Sequence, residues 1–292
     1  MNKLILAAGA LGASLALSPQ ALAQAEGLMK QDAATSGKTD VATSGFEAVA
    51  KDDPEAKDAT EAKISAGALL TTGNSRSLAA TGAGTMRVRR EKNQLSAAAA
   101  VNYSRSAPNP AGDMETTVEN YQGKVRYDRF IAGNLALFMA TSARRDRFQG
   151  LDLRLNLDPG VAYYFVDQKS QQLWSEVGYD LQYDVRRDEN VAAAQASGDP
   201  VDKTDVQHSG RLFAGYNNAL NEHVKFTTGL EYLQGLPETE RWRLNWDAGL
   251  TSAIGGNFSL STTFSLKYDH APLPAVKELD TSTAVSLVYQ LL

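Results

Sequence analysis

At 292 residues the chain has room for one large domain or two small ones, and its 43% apolar content is ordinary for a folded protein. It contains no cysteine, which excludes disulfide frameworks and thiolate metal sites. The formal charge is −5, and Arg and Lys are spread along the chain without a tail or stripe, so the basic footprint of a nucleic-acid-binding protein is missing.

The N-terminus reads as an export signal. Met1-Asn2-Lys3 is a short positive start, residues 4–17 are apolar, and Ala21-Leu22-Ala23 places small residues at the cleavage positions, so cleavage is expected after Ala23. The apolar run is shorter than the roughly 20 residues a spanning helix needs. Residues 24–61 are rich in Ala, Asp, Lys, Thr and Glu and read as a flexible polar periplasmic leader, which buries too little to offset backbone ordering. No later segment is apolar enough for a membrane helix, so the exported part, residues 62–292, is expected to be either soluble or a β-barrel.

From Ala62 onward the dominant signal is alternation, which puts successive side chains on opposite faces of a strand. In residues 173–185, Leu173, Val177, Tyr179, Leu181, Tyr183 and Val185 share one face, while Trp174, Glu176, Asp180, Gln182, Asp184 and Arg186 share the other. The division repeats with Trp242, Leu244, Trp246 and Leu250 against Arg241, Arg243, Asn245 and Asp247, and with Phe258, Leu260, Phe264, Leu266 and Tyr268 against Ser259, Ser261, Ser265 and Lys267. It recurs around Phe226 and Leu230, and more weakly around Leu95 and Val101.

Alternation also fits a soluble sandwich, and three features separate the readings. The segments run about 10 to 16 residues, long for globular sheets and sufficient for a tilted membrane crossing. Aromatics gather near segment ends on the apolar face, at Tyr103, Tyr127, Tyr183, Trp242 and Tyr268, as in interfacial girdles. Connections alternate between short ones, near 91–93, 131–134, 167–170, 217–221 and 254–257, and longer ones, near 107–115, 149–154, 188–204, 235–240 and 270–278. The expected fold is therefore all-β: a transmembrane antiparallel up-and-down barrel of about twelve strands with both termini in the periplasm. The closing strand, 279–292, ends in aliphatic Leu291-Leu292, with Tyr289 just before.

Export signal, polar leader, an opening strand running into Leu70-Thr71-Thr72-Gly73-Asn74-Ser75, then Val161-Ala162-Tyr163-Tyr164-Phe165 and Glu176-Val177-Gly178-Tyr179 in order: over residues 62–292 this resembles the salt-induced outer-membrane protein family, the YdiY-like proteins. The resemblance implies an outer-membrane barrel and names no catalytic motif or substrate.

Gly73-Asn74 reads as a tight turn, since both residues tolerate positive φ. The three histidines, His208, His223 and His270, have no metal-site spacing, and no GxSxG, HExxH or phosphate loop occurs; no cofactor, metal or enzymatic activity is expected. Asp269-His270 near an outer rim leaves an outer-membrane hydrolase as the weakest alternative. The remaining candidates are charges expected to face the lumen: Arg126, Glu176, Asp180, Asp184, Arg186, Arg211, Glu231, Arg241, Arg243, Asp247 and Lys267, with Arg87, Arg89, Lys124, Asp128 and Lys225 beside them. Such charges can pair into a neutral filling or line a path. The leading expectation is a narrow, weakly selective pore for small solutes; the competing one is a plugged structural or stress-response barrel with the 188–204 loop folded inward. The expected partners are outer-membrane lipid and the barrel-assembly machinery, with no nucleic acid; the sequence leaves the oligomeric state open.

Overall fold

The computed structural model describes residues 58–71, 76–107, 112–147, 149–168, 170–198, 200–236, 238–272 and 278–291. The expected export signal, nearly all of the polar leader and the Gly73-Asn74 turn lie outside the described residues. The alternating segments form twelve strands in one closed antiparallel barrel in which each strand pairs with its sequence neighbours and β1 pairs with β12. They are β1 (Asp58–Thr71), β2 (Arg76–Arg90), β3 (Asn93–Ala107), β4 (Glu115–Ala132), β5 (Leu135–Asp146), β6 (Leu151–Asp167), β7 (Gln171–Arg186), β8 (Thr204–Ala219), β9 (Val224–Gly235), β10 (Trp242–Gly255), β11 (Phe258–Asp269) and β12 (Leu279–Gln290). Closure satisfies the backbone groups that an open edge would leave bare. The even count puts the start of β1 and the end of β12 at the same end as the short turns. β1 begins at Asp58, four residues before the alternation becomes regular at Ala62.

The polarity of this barrel is the reverse of a soluble sandwich. Along β7, Trp174, Glu176, Asp180, Gln182 and Asp184 are buried, while Leu173, Val177 and Tyr183 are exposed, Val177 at 60%. The outward-facing residues line up from strand to strand: register carries Leu137 to Val161, Val177, Leu212 and Tyr232, and on to Leu244, Tyr268 and Leu279. That row starts near the short-turn end of β5 and finishes at the long-loop ends of β11 and β12, so the strands are staggered as closure of a barrel requires. A continuous apolar belt of this kind is costly in water, at about 25 cal/mol per Å² of apolar surface, and costs nothing in hydrocarbon.

Two features depart from a uniform barrel. The seam is thin: among the described residues β1 and β12 share four register pairs, from Lys63↔Gln290 to Ala66↔Leu287, whereas β1 shares fourteen with β2. The long β7–β8 connection contains a helix, α1 (Asp188–Ala196), which none of the alternation announced. None of its residues is buried, so this loop does not fold into the lumen as the plugged alternative supposed. It stays on the rim because Lys203 hydrogen-bonds Asp188 at 2.7 Å and pairs with Asp152 at 3.4 Å, while Arg187 pairs with Asp152 at 3.3 Å. The Asp188 hydrogen bond raises the Lys203 ammonium above its ordinary pKa.

Candidate functional site: the barrel lumen

The lumen has two unlike sides. On the side walled by β4 to β8, and continuing to β9 and β10, long charged side chains pair with one another. Glu176 is the centre: it accepts a hydrogen bond from Arg126 Nη1 at 2.6 Å and one from Arg211 Nη1 at 2.7 Å. Arg126 also binds Asp128 through Nε and Nη2, and Arg211 donates through Nε to Glu231 at 2.6 Å, which in turn accepts from Asn245 at 2.9 Å. The residues span β4, β7, β8, β9 and β10, and the stagger of the strands brings Arg126 to a carboxylate fifty positions away. Nearer the long-loop end, Arg154 forks onto Asp184 at 2.7 and 2.6 Å, Asn156 bonds Asp180, and Arg144 bonds Asp146. Arg243 on β10 reaches Gln182 on β7 at 2.9 Å and lies 3.9 Å from Asp180. Charges this buried are tolerable only with such partners.

Below this network, toward the short turns, the same side is filled by rings. Phe130, Phe138, Tyr164, Trp174 and Phe213 are all buried, with Ala136 and Ala162 between them. Neighbouring rings lie 5.9 to 6.3 Å apart in the chain Phe130, Tyr164, Trp174, Phe213. The Arg126 guanidinium sits 4.0 Å from the centre of the Phe138 ring, Arg89 is 4.1 Å from Phe130, and Arg211 is 5.3 Å from Phe213, so the charged and aromatic layers are joined face to face. Glycine makes the room: a Cβ on Gly215 would run into the Trp174 ring, and one on Gly160 into the Phe138 ring. The sequence reading missed this cluster. Its signal was present, since each ring has the parity of the charged face of its strand.

The other side is lined by small polar residues. Between β9, β10, β11 and the end of β12 lies a cavity of about 600 Å³, reached at the short-turn end past Asn221, His223 and Asn257. Its wall carries Thr227, Thr251, Ser259, Ser261, Thr263 and Ser265. At its inner limit Ser265 donates to Asp247; toward the long loops the register next pairs Lys267 with Asn245, and Arg243 follows one inward-facing position beyond.

Of the charges expected in the lumen, Arg126, Glu176, Asp180, Asp184, Arg186, Arg211, Glu231, Asp247 and Lys267 are buried there, and Arg243 is nearly so at 13% side-chain exposure. Arg241 differs: it precedes β10, so the strand alternation does not govern it, and it sits on the rim, 42% exposed, bound to Glu238 at 2.5 Å and near Asp205 at 3.5 Å. The five expected girdle aromatics all have outward parity. Tyr103, Tyr183, Trp242 and Tyr268 lie near the long-loop ends of their strands and Tyr127 toward a short-turn end. Trp242 stacks on His270 at 5.2 Å and packs on Tyr268 at 4.9 Å. Of the rim pair, His270 thus stands against rings, while Asp269 accepts the backbone N–H of Ala271 at 3.1 Å. His208 faces outward and hydrogen-bonds Tyr179, and His223 lies in the β8–β9 turn. Among the described residues no group of three or more His, Asp or Glu could hold a metal ion.

Solved structures that resemble the chain include the porin NanC (9% identity, TM-score 0.46, 80% of this chain and 100% of that one). Others are an outer-membrane channel from Pseudomonas putida F1 (9%, 0.43, 82% and 99%) and the translocator domain of the autotransporter NalP from Neisseria meningitidis (10%, 0.38, 92% and 95%). No curated relative matches the sequence. Residues 64–291, from the middle of β1 to just past β12, match the family described as "Protein of unknown function, DUF481", and the chain belongs to that family.

Proposed function

We propose that the protein is an outer-membrane β-barrel that passes small hydrophilic solutes along one side of its lumen. The observation that carries this reading is the asymmetry of the interior: ion pairs and rings fill one side, whereas the β9–β12 side keeps a hydroxyl-lined cavity of about 600 Å³. The apolar belt and the export signal in the sequence support an outer-membrane location. Twelve strands fall between small barrels that side chains can fill and wide porins, so a narrow path is expected. Arg and carboxylate groups are balanced along the lumen, which supports weak ion preference.

A second reading, a sealed barrel with a structural or salt-stress role, is favoured by Arg243, which reaches across from β10 to Gln182 on β7 on the long-loop side of the cavity. It also agrees with the resemblance to salt-induced outer-membrane proteins. Planar-bilayer recording of the purified barrel separates the two. The passage reading expects small discrete conductance steps that grow in Arg243→Ala; silence from both proteins would favour the sealed barrel.

A further inference from the structure

The chemistry of the cavity wall is more selective than a water-filled hole requires. Thr227, Thr251, Ser259, Ser261, Thr263 and Ser265 present hydroxyls, and each hydroxyl both donates and accepts. Asn221, Asn257 and Gln290 add amides, which also do both. Full charges on the wall are confined to Glu222, Lys225 and Asp247, and Asp247 is engaged by Ser265. Among the described lining residues there is no Phe, Tyr or Trp to stack on a sugar ring or a nucleobase. A volume near 600 Å³ lies within the ~300–1,000 Å³ range of small-molecule pockets.

A wall of paired donors and acceptors with little net charge matches a ligand built the same way. With one ammonium and two carboxylates among its lining groups, it offers an ion less compensation for lost hydration than it offers a hydroxylated solute. We propose that this cavity is a binding site for a small, neutral, acyclic polyol, and that such polyols are the solutes the barrel favours. The assignment rests on the passage reading for transport, but binding at the cavity stands or falls separately. Ser261 is central to the wall, and its backbone is held in register between Thr251 on β10 and Ser286 on β12. A bulky side chain there fills the space without touching the ion-pair network.

The test uses proteoliposomes of the folded barrel and three labelled acyclic solutes of matched chain length: sorbitol, gluconate and N-methylglucamine. Saturation-transfer NMR with sorbitol gives an independent reading of binding, and heat-modified electrophoresis shows that Ser261→Trp is folded. The expected result is sorbitol uptake about tenfold faster than either charged solute, corresponding to about 1.4 kcal/mol of discrimination, with both uptake and the NMR signal lost in Ser261→Trp. Equal or faster entry of the charged solutes would overturn the polyol assignment and leave the passage intact. No uptake of any solute, with an NMR signal that Ser261→Trp abolishes, would refute transport and keep the binding site. No uptake and no Ser261-dependent signal would overturn both.

Discussion

Glu176→Gln tests whether the ion-pair side of the lumen is a dry, load-carrying packing or a wet surface. The carboxylate is 2% exposed and takes charge-assisted hydrogen bonds from two guanidiniums, at 2.6 and 2.7 Å. Bonds of this type contribute about 1.5–3 kcal/mol each, and removing one member of a buried ion pair costs about 3–5 kcal/mol. Arg126 keeps Asp128 and Arg211 keeps Glu231, so the loss belongs near the lower limit, about 3 kcal/mol. Guanidinium chloride unfolding of the barrel in phospholipid vesicles, followed by tryptophan fluorescence, reads this directly because Trp174 lies on the same face of β7, two positions away. With slopes of about 2–6 kcal/mol per molar denaturant, the midpoint should fall by about 0.5–1.5 M. Glu189→Gln on the rim, where the side chain is 76% exposed, should leave it unchanged. An unmoved midpoint in Glu176→Gln would refute the reasoning, since it would mean that lumen water solvates both guanidiniums.

Gly215→Ala should destabilise by about 1–3 kcal/mol in the same assay, because its Cβ meets the Trp174 ring, and Trp174→Leu should recover part of the loss. Val177→Lys places a charge in the apolar belt where the wild-type side chain is 60% exposed; it should cost about 2–4 kcal/mol and reduce the heat-modifiable fraction, whereas a water-facing valine would tolerate lysine. Replacing residues 188–202 by a short Gly/Ser linker should shift the unfolding free energy by no more than about 0.5 kcal/mol and leave conductance as it was, since α1 buries nothing.

The strand pattern was legible because alternation along a two-sided sheet is a local property: Leu173 through Arg186 announces both faces of β7 without knowledge of any other strand. The tertiary pairing was not legible. Arg126 meets Glu176 only because the stagger of the strands rotates one position against another, and that stagger depends on closure of the whole barrel. The aromatic layer could have been found by asking which rings share parity with charges, since Phe138 follows the parity of Arg144 and Trp174 that of Glu176. The helix in the β7–β8 loop carried a weaker mark, with Asp188 and Glu189 in a first turn ahead of an alanine run. Arg241 shows where the rule ends, one residue before β10, beyond the reach of strand alternation. The contrast between the Ser/Thr-rich inner face of β11 and the charged inner face of β7 was visible in composition, but its meaning as a cavity needed the closed ring.

The central claim is a membrane barrel with a lipid-facing outside and a wet cavity inside along β11. The chain has no cysteine, so single cysteines can be placed at each of residues 259–265 and spin-labelled in lipid vesicles. Collision with oxygen, which concentrates in hydrocarbon, and with a water-soluble nickel chelate should each vary with a period of two residues and be out of phase: oxygen strongest at Leu260, Thr262 and Phe264, nickel strongest at Ser259, Ser261 and Thr263. In-phase profiles, or labels at Leu260 and Phe264 that meet neither lipid oxygen nor nickel, would contradict the account and place the apolar face in a protein core.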